Sequence, residues 1–148
     1  MHDVSACIIN SKKKFQGSCH CKKVLFYFFS PSKVKVIKCN CSICKHLSYL
    51  HLIIPHDDFK LLSDNKYLRT YKFGTMNAYH LFCLECGIKS FYQPRSHSKS
   101  FSINYNSIIN PPTILKIIEF DGKNFEKSLE TINLYSVSFN KTIYFIIT

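Results

Sequence analysis

The sequence predicts a mainly β domain held together by metal. Three observations lead there. Thirteen Phe and nine Tyr, with no Trp, enrich the residue types that favour strands. Short apolar runs alternate with turn-forming residues along most of the chain. Seven of the eight cysteines fall into three tight clusters. The 148 residues suit one ordinary domain, and the 46% that are hydrophobic suffice for a core.

The elements follow in chain order. Residues 1–15 read as a polar lead-in, with the domain proper from residue 15 to residue 131. Val24 to Phe29 is an apolar run read as a buried strand. Pro31-Ser32 marks a turn, and Val34, Val36 and Cys39 lie on a second strand. Leu47 to Ile54 is a third, closed by Pro55. Asp57 to Ser63 suits one helical turn, capped by Asp57. Tyr67 to Phe73 and Ala78 to Phe82 read as strands around a turn at Gly74. Ile88 to Tyr92, Phe101 to Tyr105 and Ile114 to Phe120 are three more. Asp121 caps a short helix, Lys123 to Thr131, whose Lys and Glu residues suit an exposed face. Residues 132–148 follow as a divergent extension. No repeat at a solenoid period is present.

Charge is uneven. Residues 1–45 carry nine Lys against one acid, Asp3, while the rest carries eleven Lys or Arg against eight acids. A basic first third attracts anionic partners, among them nucleic acid, an acidic protein surface such as a microtubule, or a small anion. No secretory pattern opens the chain, and no run approaches the ~20 apolar residues of a membrane span. The expectation is a cytoplasmic protein, with the nucleus also open, and no membrane partner.

The cysteines carry the chemistry. Cys19-His20-Cys21 is a C-x-C, Cys39 to Cys44 a C-x-C-x-x-C, and Cys83 to Cys86 a C-x-x-C followed by Gly87. On a strand, residues two apart face the same way, so a C-x-C sets two thiols side by side. A C-x-x-C does so around a turn, and Gly87 suits the backbone such a turn needs. Zinc takes four ligands in a tetrahedron and accepts thiolates well. Seven thiols divide as four plus three. Cys19, Cys21, Cys83 and Cys86 would close a structural site. Cys39, Cys41 and Cys44 would hold a second zinc with one position open to water or substrate. A single zinc, with the triplet left as thiols, is the rival. His46, His51 or His80 as a fourth ligand is another. His20, between two ligands, should face away from the metal. Disulfides are disfavoured by the C-x-C spacing. Cys7 reads as an incidental thiol.

The segments Gly17 to Cys21, Cys39 to Cys44, Tyr71-Lys72-Phe73-Gly74, His80 to Gly87, Phe91 to Ser96 and Phe120 to Glu126 resemble the glutathione-dependent formaldehyde-activating enzyme family. Within it the likeness is greatest to the branch of centromere protein V. Phe125 stands where relatives usually have Trp. The resemblance covers about residues 15–130, in the family's order. It implies an Mss4-like β-tent of short antiparallel strands and the same four-plus-three division of zinc ligands. It also implies that the three-cysteine zinc is the catalytic one, in a carbon–sulfur lyase that joins glutathione and formaldehyde as S-hydroxymethylglutathione. Arg95 could then bind a carboxylate of the thiol substrate, or else pair structurally with a backbone carbonyl or Glu85. The other expectation is a non-enzymatic zinc module that binds chromatin, nucleic acid or microtubules through the basic first third.

Overall fold

A computed structural model describes residues 11–136. Its strands in chain order are β1 (Lys13–Ser18), β2 (Leu25–Ser30), β3 (Lys33–Cys39), β4 (Leu50–Pro55), β5 (Phe59–Leu61), β6 (Leu68–Tyr71), β7 (His80–Cys83), β8 (Phe91–Tyr92), β9 (Ser100–Asn104), β10 (Ile108–Ile109) and β11 (Thr113–Phe120). Two helices accompany them, α1 (Cys44–Leu47) and α2 (Phe125–Ser136). The molecule is mainly β, as its aromatic-rich runs require. No described helix is long and apolar enough to cross a membrane.

Three sheets form. One has the order β10-β1-β2-β5, a second β11-β3-β4-β9-β8, and the third is the pair β6-β7. All pairs are antiparallel except β3 and β11, which run parallel. The core lies between the first two sheets. Phe26 and Phe28 of β2 meet Phe59, Phe91 and Ile103 there. The Phe26 ring lies 5.4 Å from Phe59 and 5.3 Å from Phe91, centroid to centroid. Gly17, opposite Phe26 in the ladder, leaves room for that ring, which a Cβ would strike.

β3 organises the region of interest because it sends buried side chains to both of its faces. Val34 and Val36 belong to the main core. Ile37 and Cys39 point the other way, into a smaller cluster with Cys44 and Phe120. Phe125 and Leu129, one turn apart on α2, cover that cluster. The helix thus packs over the metal-ligand loop rather than over the main core.

Several boundaries differ from the sequence reading, each for a physical reason. β1 begins at Lys13, because the exposed Lys13 and Lys14 extend the ladder with β2 opposite Ser30 and Phe29. Leu47 ends the short helix α1 instead of opening a strand, and only the later part of the 47–54 run is strand. Within 57–63 a single 3-10 turn gives way to β5, and Asp57 makes no cap. Asp121 holds side-chain amides instead of capping free N–H groups. The C-terminal helix starts at Phe125 and runs on to Ser136, so it enters the 132–148 extension. The remainder of that extension, and Cys7 with most of the lead-in, lie outside the described residues.

Candidate metal centres

Four sulfurs converge first. Cys19 follows β1, and Cys21 lies in the turn that leads to β2. The C-x-C therefore sits on a tight turn, not along a strand as its spacing suggested. Lys22 adopts a left-handed φ of 63° to make that turn, and its N–H donates to the Cys19 carbonyl. Val24 N–H donates to Cys19 Sγ at 3.3 Å. Cys83 ends β7, and Cys86 lies in the following turn, closed by Gly87 at φ 74° with its N–H on the Cys83 carbonyl. Cys21 Sγ is 3.6 Å from both Cys19 Sγ and Cys83 Sγ. All four sulfurs lie within 4.8 Å of one another.

Three sulfurs converge second. Cys39 ends β3, Cys41 follows in a bend, and Cys44 opens α1. Their sulfurs also lie within 4.8 Å of one another. Cys39 and Cys44 are buried and Cys41 is half-buried. Asn40, between the first two, is clasped from the far end of the chain. It donates to Asp121 Oδ1 at 3.0 Å and accepts from Lys123 N–H at 3.2 Å. Gly122 lies so close that a Cβ there would strike Cys39 Sγ and Cys41.

The donor chemistry fits a metal at both places. At the triplet, hydrogen bonds from the Cys39 and Cys44 thiols hold Cys41 down to about 2. The same contacts, with burial, push Cys44 far up, and Cys39 rises to about 11. Three sulfurs this close do not ionise together unaided, and a bound dication removes that penalty. At the first site burial raises Cys19 to about 12. Burial also works against Cys86, but N–H donors from Cys21 and Ile88 lower it to about 6.

Two buried bases back the triplet. His51 Nε2 is 3.4 Å from Cys44 Sγ, and its Nδ1 is 2.9 Å from the Ser102 hydroxyl. Burial, then the charge of Lys89, lowers His51 to about 3, so its ring is neutral. Lys89 is itself buried, 6% exposed, with Nζ 2.7 Å from His80 Nδ1 and 3.7 Å from the Tyr92 ring centroid. Burial lowers Lys89 to about 8, opposed by the three nearby thiols.

A cavity of about 460 Å³ opens over the triplet. Phe73, His80, Tyr92, Arg95 and Phe125 line it beside the three cysteines. A larger hollow of about 550 Å³ lies between β5 and β6, but no cysteine or histidine lines it. The chemistry therefore belongs to the first.

Residues 14–119 match the family described as glutathione-dependent formaldehyde-activating enzyme. The chain belongs to this family. A crystal structure of a Rhodobacter sphaeroides protein is also similar, with a TM-score of 0.57 and 28% identity. The likeness covers 62% of this chain and 85% of that one.

Within this family member, the structure brings together both sets of cysteines that spacing had grouped. It does not bring a histidine into either set among the described residues. His46 and His20 are exposed, and the His56 ring packs at a tilt against Phe101. His51 stands behind Cys44, and His80 forms part of the cavity wall facing Lys89. Arg95 lines the cavity, but its ion-pair partner is Glu126 at 3.0 Å, not Glu85. Its guanidinium also lies 3.7 Å from the Phe125 ring centroid. Sequence reasoning missed Lys89, Ser102 and the Asn40 clasp. Only the last had a signal, an Asn held between two candidate ligands.

Proposed function

We propose that the chain binds two zinc ions and forms or breaks a carbon–sulfur bond between a small thiol and formaldehyde at Cys39, Cys41 and Cys44. One observation carries this reading. Three sulfurs with no fourth protein ligand among the described residues form the floor of an open cavity, whereas the other four close on themselves. Closed thiolate sites are structural, and three-ligand sites leave a position for substrate. Family membership supports the same reading, since the family's description names glutathione and formaldehyde.

Zinc held by Cys39, Cys41 and Cys44 would supply a Lewis acid and would lower the pKa of a bound thiol. The chain's own groups do the rest. Lys89 places a buried positive charge near the three sulfurs and balances their negative charge. His51 orients Cys44: its Nε2–H donates to the ionised sulfur while Nδ1 accepts from Ser102. His80, whose Nδ1 accepts from Lys89, keeps its ring proton on Nε2 and can donate to a substrate oxygen in the cavity. Arg95 meets a substrate carboxylate. In the reaction the thiol sulfur bonds to the carbonyl carbon. The C=O π pair moves to oxygen, which takes up the proton the thiol gave up.

The test combines metal analysis with exchange kinetics. Purified protein should carry about two zinc ions per chain. It should accelerate exchange between formaldehyde and a thiol, measured by magnetisation transfer with glutathione and with 3-mercaptobenzoate. Cys41→Ser should abolish the acceleration. Rates equal to buffer for both thiols, or a fully active Cys41→Ser protein, would sink the reading.

The basic first third gains no comparable support. Lys12 pairs with Asp58 at 2.8 Å, and Lys38 with Glu119 at 3.7 Å. Lys14 and Lys23 lie over the Tyr27 and Tyr67 rings.

A further inference from the structure

We propose that the cavity over Cys39, Cys41 and Cys44 selects a thiol or thiol adduct with a flat, apolar body and a carboxylate, over a zwitterionic peptide thiol such as glutathione. This rests on the reading of that cavity as the thiol site and specifies its substrate class.

The cavity's walls carry the inference. On one side an aromatic column runs from the surface inward. Tyr71 stacks on Phe73 at 5.6 Å, Phe73 on His80 at 5.1 Å, and His80 on Tyr92 at 5.0 Å, with interplanar angles of 22°, 21° and 17°. Phe73, His80 and Tyr92 of this column line the cavity. Burial, then the charge of Lys89, lowers His80 to about 4, so the column is uncharged at neutral pH. Phe125 faces the same space with the Arg95 guanidinium over its ring. Such walls hold a planar apolar group by stacking and by exclusion of water.

Apart from the three cysteines, whose negative charge a bound dication would offset, the charged side chains that line the cavity are Arg95 and Lys123, and among the described residues no Asp or Glu lines it. Glutathione brings an α-ammonium as well as carboxylates. Here that ammonium would meet two cations inside the cavity, with the nearest carboxylate, Glu126, outside the lining and 81% exposed, and a poorly paired desolvated charge is costly. A lone carboxylate meets the opposite situation. Arg95 is already held in place by Phe125, and its partner Glu126 has a side chain 81% exposed. An ion pair this open to solvent is weak, so an incoming carboxylate can replace Glu126 on the guanidinium.

The test uses thioethers, which cannot ionise at sulfur, so the acidity of a thiol does not decide the result. Zinc-loaded full-length protein is titrated calorimetrically with 3-(methylthio)benzoate, its methyl ester and S-methylglutathione. The benzoate should bind at least tenfold more tightly than S-methylglutathione. Arg95→Gln should abolish the preference for the benzoate over its ester. Phe73→Ala, at a position 38% exposed, should weaken benzoate binding severalfold without changing metal content. Equal or tighter binding of S-methylglutathione, or no binding of the benzoate, overturns the proposal. Exchange rates judge the catalytic reading separately, because acceleration with glutathione alone would keep that reading while this one fails.

Discussion

Gly122 shows how little space surrounds the triplet. Its missing Cβ is what lets the chain pass Cys39 Sγ and the Cys41 backbone. Gly122→Ala forces the loop off these sulfurs. The expected outcome is a fall from about two zinc ions per chain to about one, with the four-cysteine site intact. Metal analysis and far-UV circular dichroism check it, and unchanged stoichiometry would contradict the account. Lys89 acts at the same scale through charge. Lys89→Met keeps most of the volume and removes the cation, so zinc affinity at the triplet should drop by about tenfold or more. Competition with a chromogenic chelator measures this. Neither role was legible in the sequence. Gly122 read as the start of a helix, and a lysine is exposed by default. The grouping of the cysteines was legible because C-x-C and C-x-x-C force sulfurs together locally. A backing group such as Lys89 or Ser102 is placed only by tertiary structure.

Among the elements, the parallel pair β3 and β11 does most to build the site. Its register sets Phe120 beside Cys39, which delivers Asp121, Gly122 and Lys123 to the ligand loop. Asn40 then ties the two segments through its side chain and through its N–H on the Phe120 carbonyl. Asn40→Ala removes two side-chain bonds at a partly exposed place. It should cost about 1 kcal/mol of stability and speed zinc release from the triplet. Urea denaturation and stopped-flow chelation measure the two effects; unaltered release kinetics would remove the clasp from the account. The strands of this sheet were readable from their apolar runs. Their pairing was not, because local pattern carries no register between segments some eighty residues apart. For the same reason β1 escaped notice, since its exposed lysines resemble a polar lead-in. The C-x-C turn was misread as strand because both geometries set residues two apart side by side.

Across the whole molecule, the two cysteine groups occupy different places. The four-cysteine group joins the β1–β2 turn of one sheet to the end of β7 in another. The two-stranded sheet beside it is small, and the loop between its two strands carries Phe73 to the cavity wall. Structural zinc in small domains contributes about 10–16 kcal/mol of apparent binding free energy. Net stabilities are only about 5–15 kcal/mol. Loss of a zinc held there would therefore match or exceed the whole margin, whereas the triplet has a buried cluster of its own, with Ile37 and Phe120, beside it. Chelation should then proceed in two phases. A mild chelator should take one zinc and the exchange activity while circular dichroism stays native. Removal of the second should coincide with unfolding, and Cys83→Ser should fail to fold where Cys41→Ser folds normally. The order matters for the division of labour. If instead Cys41→Ser unfolds the chain while Cys83→Ser folds and loses only the exchange activity, the triplet is the structural site and the four-plus-three assignment must be reversed.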